Sequence, residues 1–431
     1  MVKDIQEQPS FKQLSPRQVL LKRFHTVRQF SEQLSEPLEI EDYVVQSMPD
    51  ASPTKWHLAH TTWFFEAFVL EPSLKAYKSL HPQYNYLFNS YYNSIGERHS
   101  RAKRGLITRP TVKETYAYRQ YVDEHMHNLL ERCDEQQLQQ IAPIVTLGIH
   151  HEQQHQELLM TDIKHMLASN PLHPVYKAGM IEASATPALK WMSYPEGISR
   201  IGHEGDGFAY DNEGPRHREF VEAYQLGSRL ITNQEYLDFM IDEGYKNPLL
   251  WLSSGWNMVQ AEGWQAPLYW EKQDGRWYEM TLSGFREVPP DEPVCHVSYF
   301  EADAYARWAN ARLATEAEWE IAAQQVSIVG NFVEHAQFHP IALQDALEPG
   351  KPAQMYGDVW EWTQSAYLAY PGYKPAPGAI GEYNGKFMCN QFVLRGGSCV
   401  TSNTHIRSTY RNFFPPDARW QFSGIRLARE V

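Results

Sequence analysis

Two histidines four residues apart carry the most specific chemistry in this chain. In His151-Glu152-Gln153-Gln154-His155-Gln156-Glu157 that spacing puts both imidazoles on one face of a helix, where they can hold one metal ion between them. Gly148 and the apolar Ile149, Leu158 and Leu159 are the neighbours expected of a helix packed inside a bundle, so a metal role is favoured over a solvated polar face. The same residues spell H-E-x-x-H, the zinc-protease helix in which the glutamate is a general base. No H-x-x-G-x-x-H follows His155 to complete such a site, so a third ligand must come from another helix. Trp56-His57-Leu58-Ala59-His60 offers one. His60 shares an inward stripe with Phe64 and Phe68, whereas His57 lies beside Lys55 near the helix start; His60 is the expected ligand and His57 a structural residue. Three neutral imidazoles suit Zn, Fe or Cu about equally by ligand type. They leave three octahedral positions open and add no negative charge, which lets Fe(II) accept both a thiolate and O2, whereas a zinc hydrolase keeps one open position for water.

Histidines on separate helices need a bundle to bring them together, and the first 170 residues read as one. Ser15-Pro16 supplies a cap and a first-turn proline, followed by Leu20, Phe24, Val27 and Leu34 at helical spacing. A second helix carries Trp56 to Phe68 and is expected to stop at Pro72. A third opens on the capping box of Thr111 and Glu114. The fourth is expected over about residues 142–168. Four amphipathic helices with a long connection between the second and third describe a four-helix bundle. A stretch rich in Pro, Ala and Ser, residues 171–197, reads as a linker. Residues 198–431 read as an α+β domain of short elements, with helices over 233–241 and 299–323 and a core built of large aromatics.

With 431 residues the chain is long enough for two domains, each with a real core. A formal charge of -13 argues against nucleic acid and anionic membranes as partners. Four cysteines without a C-x-x-C pair make no disulfide framework and point to a reducing compartment. The N-terminus lacks an apolar signal region, and no run approaches the roughly 18 apolar residues of a membrane span. A cytoplasmic protein is expected.

The W-H-L-A-H helix paired with the H-E-Q-Q-H-Q-E helix, ahead of a second domain, resembles the iron-dependent sulfoxide synthases of ergothioneine biosynthesis. The second domain carries its own resemblance. Asp211-Asn212-Glu213-Gly214-Pro215, Thr232-Asn233-Gln234-Glu235-Tyr236, Arg312-Leu313-Ala314-Thr315-Glu316-Ala317-Glu318-Trp319-Glu320, Gly357-Asp358-Val359-Trp360-Glu361-Trp362, Leu394-Arg395-Gly396-Gly397-Ser398 and Gly424-Ile425-Arg426-Leu427 together are similar to the C-type-lectin fold of formylglycine-generating, sulfatase-modifying enzymes. The fold class implied is a multidomain α and α+β chain, a DinB-like metal-binding four-helix bundle followed by that lectin-like domain. The activity implied is O2-dependent joining of a cysteine-type thiol to C2 of the imidazole of hercynine, Nα-trimethylated histidine, with oxidation of the sulfur to a sulfoxide and Fe(II) as cofactor. Ovothiol-type synthases usually add a methyltransferase domain; this chain ends at Val431 without one, so the ergothioneine branch is expected.

That reaction assigns roles to further residues. The metal falls to His60, His151 and His155. A carboxylate on the thiol substrate needs cations, and the connection between the metal-bearing helices offers Arg101 and Arg104, ahead of Arg98, for a bidentate grip. Tyr91 and Tyr92 lie in the same connection, where the resemblance places the phenol that supplies a proton. A trimethylammonium group cannot donate a hydrogen bond and is matched by aromatic faces; Phe413, Phe414 and Trp420 are available, with Asn412 for the hercynine carboxylate and Gln154 for its imidazole. The Tyr91-Tyr92 and Asn412-Phe413-Phe414 pattern favours cysteine over γ-glutamylcysteine as the thiol. The active site is expected where the two domains meet. The rival readings are a zinc metallohydrolase or protease using the H-E-Q-Q-H helix, copper-dependent oxidation of a peptide cysteine, and a non-enzymatic lectin-like binding protein. The copper chemistry needs two thiols close together, and no second cysteine follows Cys399; the lectin leaves three histidines unexplained.

Overall fold

The computed structural model describes residues 14–179, 184–344, 347–378, 381 and 384–431. Two compact units divide the chain, residues 1–90 with 96–156, and residues 91–95 with 157–431.

The first unit is helical, and its helices begin where local chemistry can satisfy their free N–H groups. α1, Pro16–Ser35, starts on a capping box in which Ser15 Oγ accepts from the Gln18 N–H and the Gln18 side chain accepts from Ser15 N–H. α2, Thr54–Phe65, continues through a π-helical turn, Glu66–Leu70, into α3, Glu71–Ser73. The helical path therefore passes Pro72 by one residue, and the wide turn ahead of it was not expected. Every residue of α2 is buried, Lys55 and His57 included. It is the central helix of this unit, not the amphipathic one its pattern suggested. A short α4, Tyr84–Phe88, lies in the long connection. α5, Val112–Arg132, starts on the Thr111–Glu114 capping box.

α6 runs from Glu135 to Ala168 with Pro143 inside it. The expected start near 142 falls short: the structure carries the helix two turns further back, with Pro143 in its interior. Residues up to Gln156 belong to the first unit and Glu157 onward to the second.

The second unit is built on two four-stranded sheets. One is antiparallel, in the order Trp191–Tyr194, Tyr224–Gly227, Leu427–Glu430, Arg312–Leu313; the other runs Asn412–Phe414, Phe392–Arg395, Trp360–Ala366, Ser423–Gly424, its last pair parallel. Besides the end of α6, the α-helices that accompany them among the described residues are α7 (Asn233–Ile241), α8 (Ser253–Glu262), α9 (Tyr299–Trp308) and α10 (Glu316–Ala323). The expected helix over 299–323 is divided, because Asn310 takes a left-handed conformation and Thr315 caps a new helix through Glu318. The core is largely aromatic, with Trp319, Trp360, Trp362, Tyr224, Tyr236 and Tyr356 almost fully buried.

Ion pairs join four of the six sequence segments two by two, Glu320 with Arg395 and Glu361 with Arg426, while Glu318 pairs with Arg312 inside its own segment and Glu316 with Arg411 outside the six. Trp319 Nε1 also donates to Glu361 at 2.8 Å. Among the described residues, no helix is long and apolar enough to cross a membrane.

Candidate metal centre and substrate residues

α2 and α6 approach closely because Gly148 lies at their contact. A Cβ on Gly148 would fall 2.5 Å from the ring of Phe65 and 2.9 Å from that of Phe64. One turn further along α6 stands His151, and another turn on His155. With His60 of α2 they form a buried group whose ligand atoms lie within 4.8 Å of one another. His60 Nε2 and His151 Nε2 are 3.2 Å apart. With metal–nitrogen bonds of about 2.1 Å, two ligands at a right angle lie about 3.0 Å apart and at the tetrahedral angle about 3.4 Å, so this spacing suits two ligands of one ion.

The nitrogens are also in a suitable state. Burial, aided by mutual repulsion, drives His60 and His155 well below the usual imidazole range, and burial brings His151 down to about 4. All three are neutral near pH 7, with lone pairs to give. His60 Nδ1 lies 2.5 Å from the Phe88 carbonyl and donates to it, which leaves Nε2 as the lone-pair nitrogen. His155 Nδ1 is 2.9 Å from His57 Nδ1. Among the described residues His151 Nδ1 has no hydrogen-bond partner. A divalent metal with nitrogen ligands fits this donor set.

Glu152 does not take part. Its carboxylate accepts from Arg28 at 2.8 Å, Arg119 at 2.5 Å and Ser31 at 2.6 Å, fully buried on another side of α6. Burial works to raise its pKa, and Arg119 and Arg28 overcome that to hold it at about 2. A carboxylate so bound is a poor general base, which removes the chemical core of the zinc-protease reading. One other group of three possible ligands occurs among the described residues, Glu279, Glu292 and His339. There the Arg286 guanidinium already bridges both carboxylates, so the cluster is an ion-pair network.

The structure separates the arginines of the connection. Arg104 is buried, with its guanidinium 3.3 Å from the Trp56 ring centroid, and Trp56 in turn stacks on His60 at 4.6 Å. Ser52 and Ser90 hydroxyls accept from Arg104 at 2.8 Å each. After burial and its histidine neighbours, this charge adds to the lowering of His60 and His155. Arg101 instead is exposed and turned to Asp50, whose backbone carbonyl accepts from it and whose carboxylate lies 3.8 Å away. Arg98 donates to the Ser90 carbonyl at 2.6 Å. Gln154 is half-buried, three residues from His151 on α6.

In the second unit Tyr92 is buried and Tyr91 half-buried. The Tyr91 ring meets Phe387 edge-on at 5.1 Å, and Lys386 donates to its backbone carbonyl. Phe387 lies 5.8 Å from Phe413, which stacks on Tyr367 at 4.0 Å. Tyr91, Phe387, Phe413 and Tyr367 thus form a run of aromatic rings, with the Lys386 ammonium 5.5 Å from the Tyr91 centroid. Phe414, next along the strand, points to the opposite face and meets Trp420 at 6.3 Å. Asn412 accepts from the Phe413 N–H at 2.9 Å, so its carbonyl oxygen is engaged locally. Sequence reasoning missed Phe387 and Tyr367: neither lies in a motif, and their approach to Phe413 is made by folding alone.

Comparison with known proteins follows the same division. The family model described as sulfatase-modifying factor enzyme 1-like domain matches residues 177–347 and 351–431, and that of the DinB superfamily matches residues 23–159. Hercynine oxygenase of Mycolicibacterium smegmatis is 31% identical over 422 residues, covering 90% of this chain and 93% of that protein. Hercynine oxygenase of Mycobacterium tuberculosis is 30% identical over 419 residues, covering 89% and 92%. Ergothioneine biosynthesis protein 1 of Schizosaccharomyces pombe is 29% identical over 238 residues, covering 52% of this chain and 28% of that protein.

Proposed function

The chain belongs to the hercynine oxygenase family, and on that premise we propose that it is an Fe(II)-dependent sulfoxide synthase joining a cysteine-type thiol to C2 of the hercynine imidazole in ergothioneine biosynthesis. The observation that carries the reading is the buried group of three neutral imidazoles, His60, His151 and His155, on two closely packed helices. In the overall reaction thiol, imidazole C–H and O2 give sulfoxide and water. One oxygen atom stays on sulfur, and the other leaves with the hydrogens of the S–H and the C2–H.

His60, His151 and His155 hold the iron and contribute no negative charge. Fe(II) bound there supplies the redox capacity to activate O2 and a cationic anchor for the thiolate. Arg104 receives the thiol substrate's carboxylate, its guanidinium oriented by Ser52 and Ser90 and by the Trp56 face; Arg101 adds positive charge nearer the surface. A phenol, Tyr91 Oη or Tyr92 Oη, holds the proton delivered during oxygen reduction. The quaternary ammonium of hercynine rests on Phe413 and its ring neighbours, with Phe414 as a further aromatic wall; Asn412 takes the carboxylate and Gln154 the imidazole. Cysteine is the proposed thiol, with γ-glutamylcysteine the competitor, and the domains are proposed as 1–170, 171–197 and 198–431, the strand Trp191–Tyr194 of the middle stretch being built into the second unit's sheet. The protein works in the cytoplasm on small molecules, with no nucleic-acid or membrane partner.

One experiment tests this. The purified chain is loaded anaerobically with Fe(II) or Zn(II), mixed with hercynine and either cysteine or γ-glutamylcysteine, exposed to O2, and its products are weighed by mass spectrometry. The expected result is a hercynine–cysteine sulfoxide with iron and none with zinc. Peptide cleavage with zinc, or no product with either metal and either thiol, overturns the assignment.

A further inference from the structure

On the reading that His60, His151 and His155 hold the metal, we propose that His57 is a positioning residue of that site, its Nδ1 accepting the Nδ1–H of His155 so that Nε2 of His155 is the metal-facing lone pair. The two Nδ1 atoms stand 2.9 Å apart, and both side chains are buried. Two lone pairs at that distance repel and two N–H groups collide, so one proton lies between them. If His57 carried it, His155 Nδ1 would be the acceptor and its Nε2 would bear hydrogen, closing that nitrogen to a metal. The group of converging ligand atoms includes His155, and its Nδ1 is taken up by His57. Nε2 is therefore the ligand nitrogen, and the proton sits on His155 Nδ1. His57 is then the Nε2–H tautomer, accepting through Nδ1.

His57 and His60 are three residues apart on α2, so one helical turn supplies both a ligand and the support of a second ligand carried by α6. The same helix packing that brings His60 to His151 sets the angle of the His155 ring. Two of the three imidazoles thus have their tautomers set by a fixed acceptor, the Phe88 carbonyl for His60 and His57 for His155. Metal-bound histidines commonly donate to a carboxylate, which makes them more basic. A neutral imidazole in that position orients the ring without adding negative charge. That keeps the site attractive to an anionic thiolate.

The test measures Fe(II) and Co(II) affinity of the full chain by anaerobic chelator competition, with the Co(II) ligand-field spectrum and the melting temperature of the metal-free protein. His57→Phe is expected to weaken binding by roughly 10–100-fold and to shift the Co(II) spectrum. His57→Gln, whose Oε1 can accept the same N–H, is expected to restore most of the affinity. His155→Ala, run in parallel, is expected to abolish binding. Wild-type affinity and an unchanged spectrum in His57→Phe, with binding lost in His155→Ala, overturn the role of His57 alone; wild-type affinity in His155→Ala overturns the three-histidine reading beneath it. Should His57→Phe fail to fold, the unmutated Zn(II)-loaded chain with 15N-labelled histidine decides. A scalar coupling across the hydrogen bond, with the proton on His155 Nδ1, is expected; a proton on His155 Nε2 overturns the proposal.

Discussion

The three imidazoles proposed as ligands come from two helices, so they do not substitute for one another. His151 and His155 share a face of α6, and His60 reaches them from α2. Removing one leaves two nitrogens and a poorly held ion. His151→Ala and His155→Ala are expected to retain no iron after desalting and to make no sulfoxide, and to lose the rise in melting temperature that metal gives the unmutated chain. Full loading in either variant overturns the ligand assignment. The tyrosines call for a comparison, because neighbours in sequence are unlike in surroundings: Tyr92 is buried, whereas Tyr91 is half-buried against Phe387 and Lys386. Removing the phenol proposed to move the proton is expected to cost about 100-fold or more in sulfoxide formation. Tyr91→Phe and Tyr92→Phe, assayed side by side for rate and product ratio, should therefore differ. Unchanged rates and products in both would end the proton-donor role for this pair.

At the scale of elements, the critical position is Gly148. Phe65 is fully buried and cannot swing away from an added methyl group. Gly148→Ala gains about 1 kcal/mol in helix propensity but forces α2 and α6 apart, at a cost of about 1–3 kcal/mol. A lower melting temperature and weaker Fe(II) binding are expected together; a higher melting temperature with unchanged affinity would show that the contact does not set the ligand spacing. Elements were legible in the sequence where their signals are local. Ser15-Pro16 and the Thr111–Glu114 capping box each announce a helix, and each opens one in the structure. The i,i+4 histidines were legible for the same reason. Tertiary context overrode local pattern elsewhere. α6 begins two turns ahead of its expected start and takes Pro143 into its interior, and α2 looked two-faced and is buried all round. The segments of the second unit were readable through their resemblance to a family, and four of them are joined by buried ion pairs, Glu320 with Arg395 and Glu361 with Arg426. Phe387 offered no such signal, since its approach to Phe413 depends on a turn, Gly385–Phe387, that no motif marks.

Over the whole molecule, the second unit is closed by residues close to the end of the sequence. Ser423–Gly424 extends one sheet alongside Trp360 and Glu361, and Leu427–Glu430 lies inside the other, between Tyr224–Gly227 and Arg312–Leu313. Between them Arg426 donates to Glu361 at 2.8 Å and 3.0 Å and to the Gly227 carbonyl at 2.9 Å. Most of these pairings span much of the unit in sequence, so their closure carries a loop-entropy cost. Ending the chain after Gly424 removes an interior strand and leaves the buried Glu361 without its guanidinium, a loss that alone costs about 3–5 kcal/mol. Total stability of a typical protein is about 5–15 kcal/mol, so the second unit of the shortened chain is expected to be unfolded at 25 °C, with loss of its near-ultraviolet aromatic dichroism and rapid proteolysis within residues 191–424. Removing Val431 alone, which is 80% exposed, should leave the melting curve unchanged. A chain ending at Gly424 that melts and resists protease like the full-length protein would show that the unit is closed elsewhere.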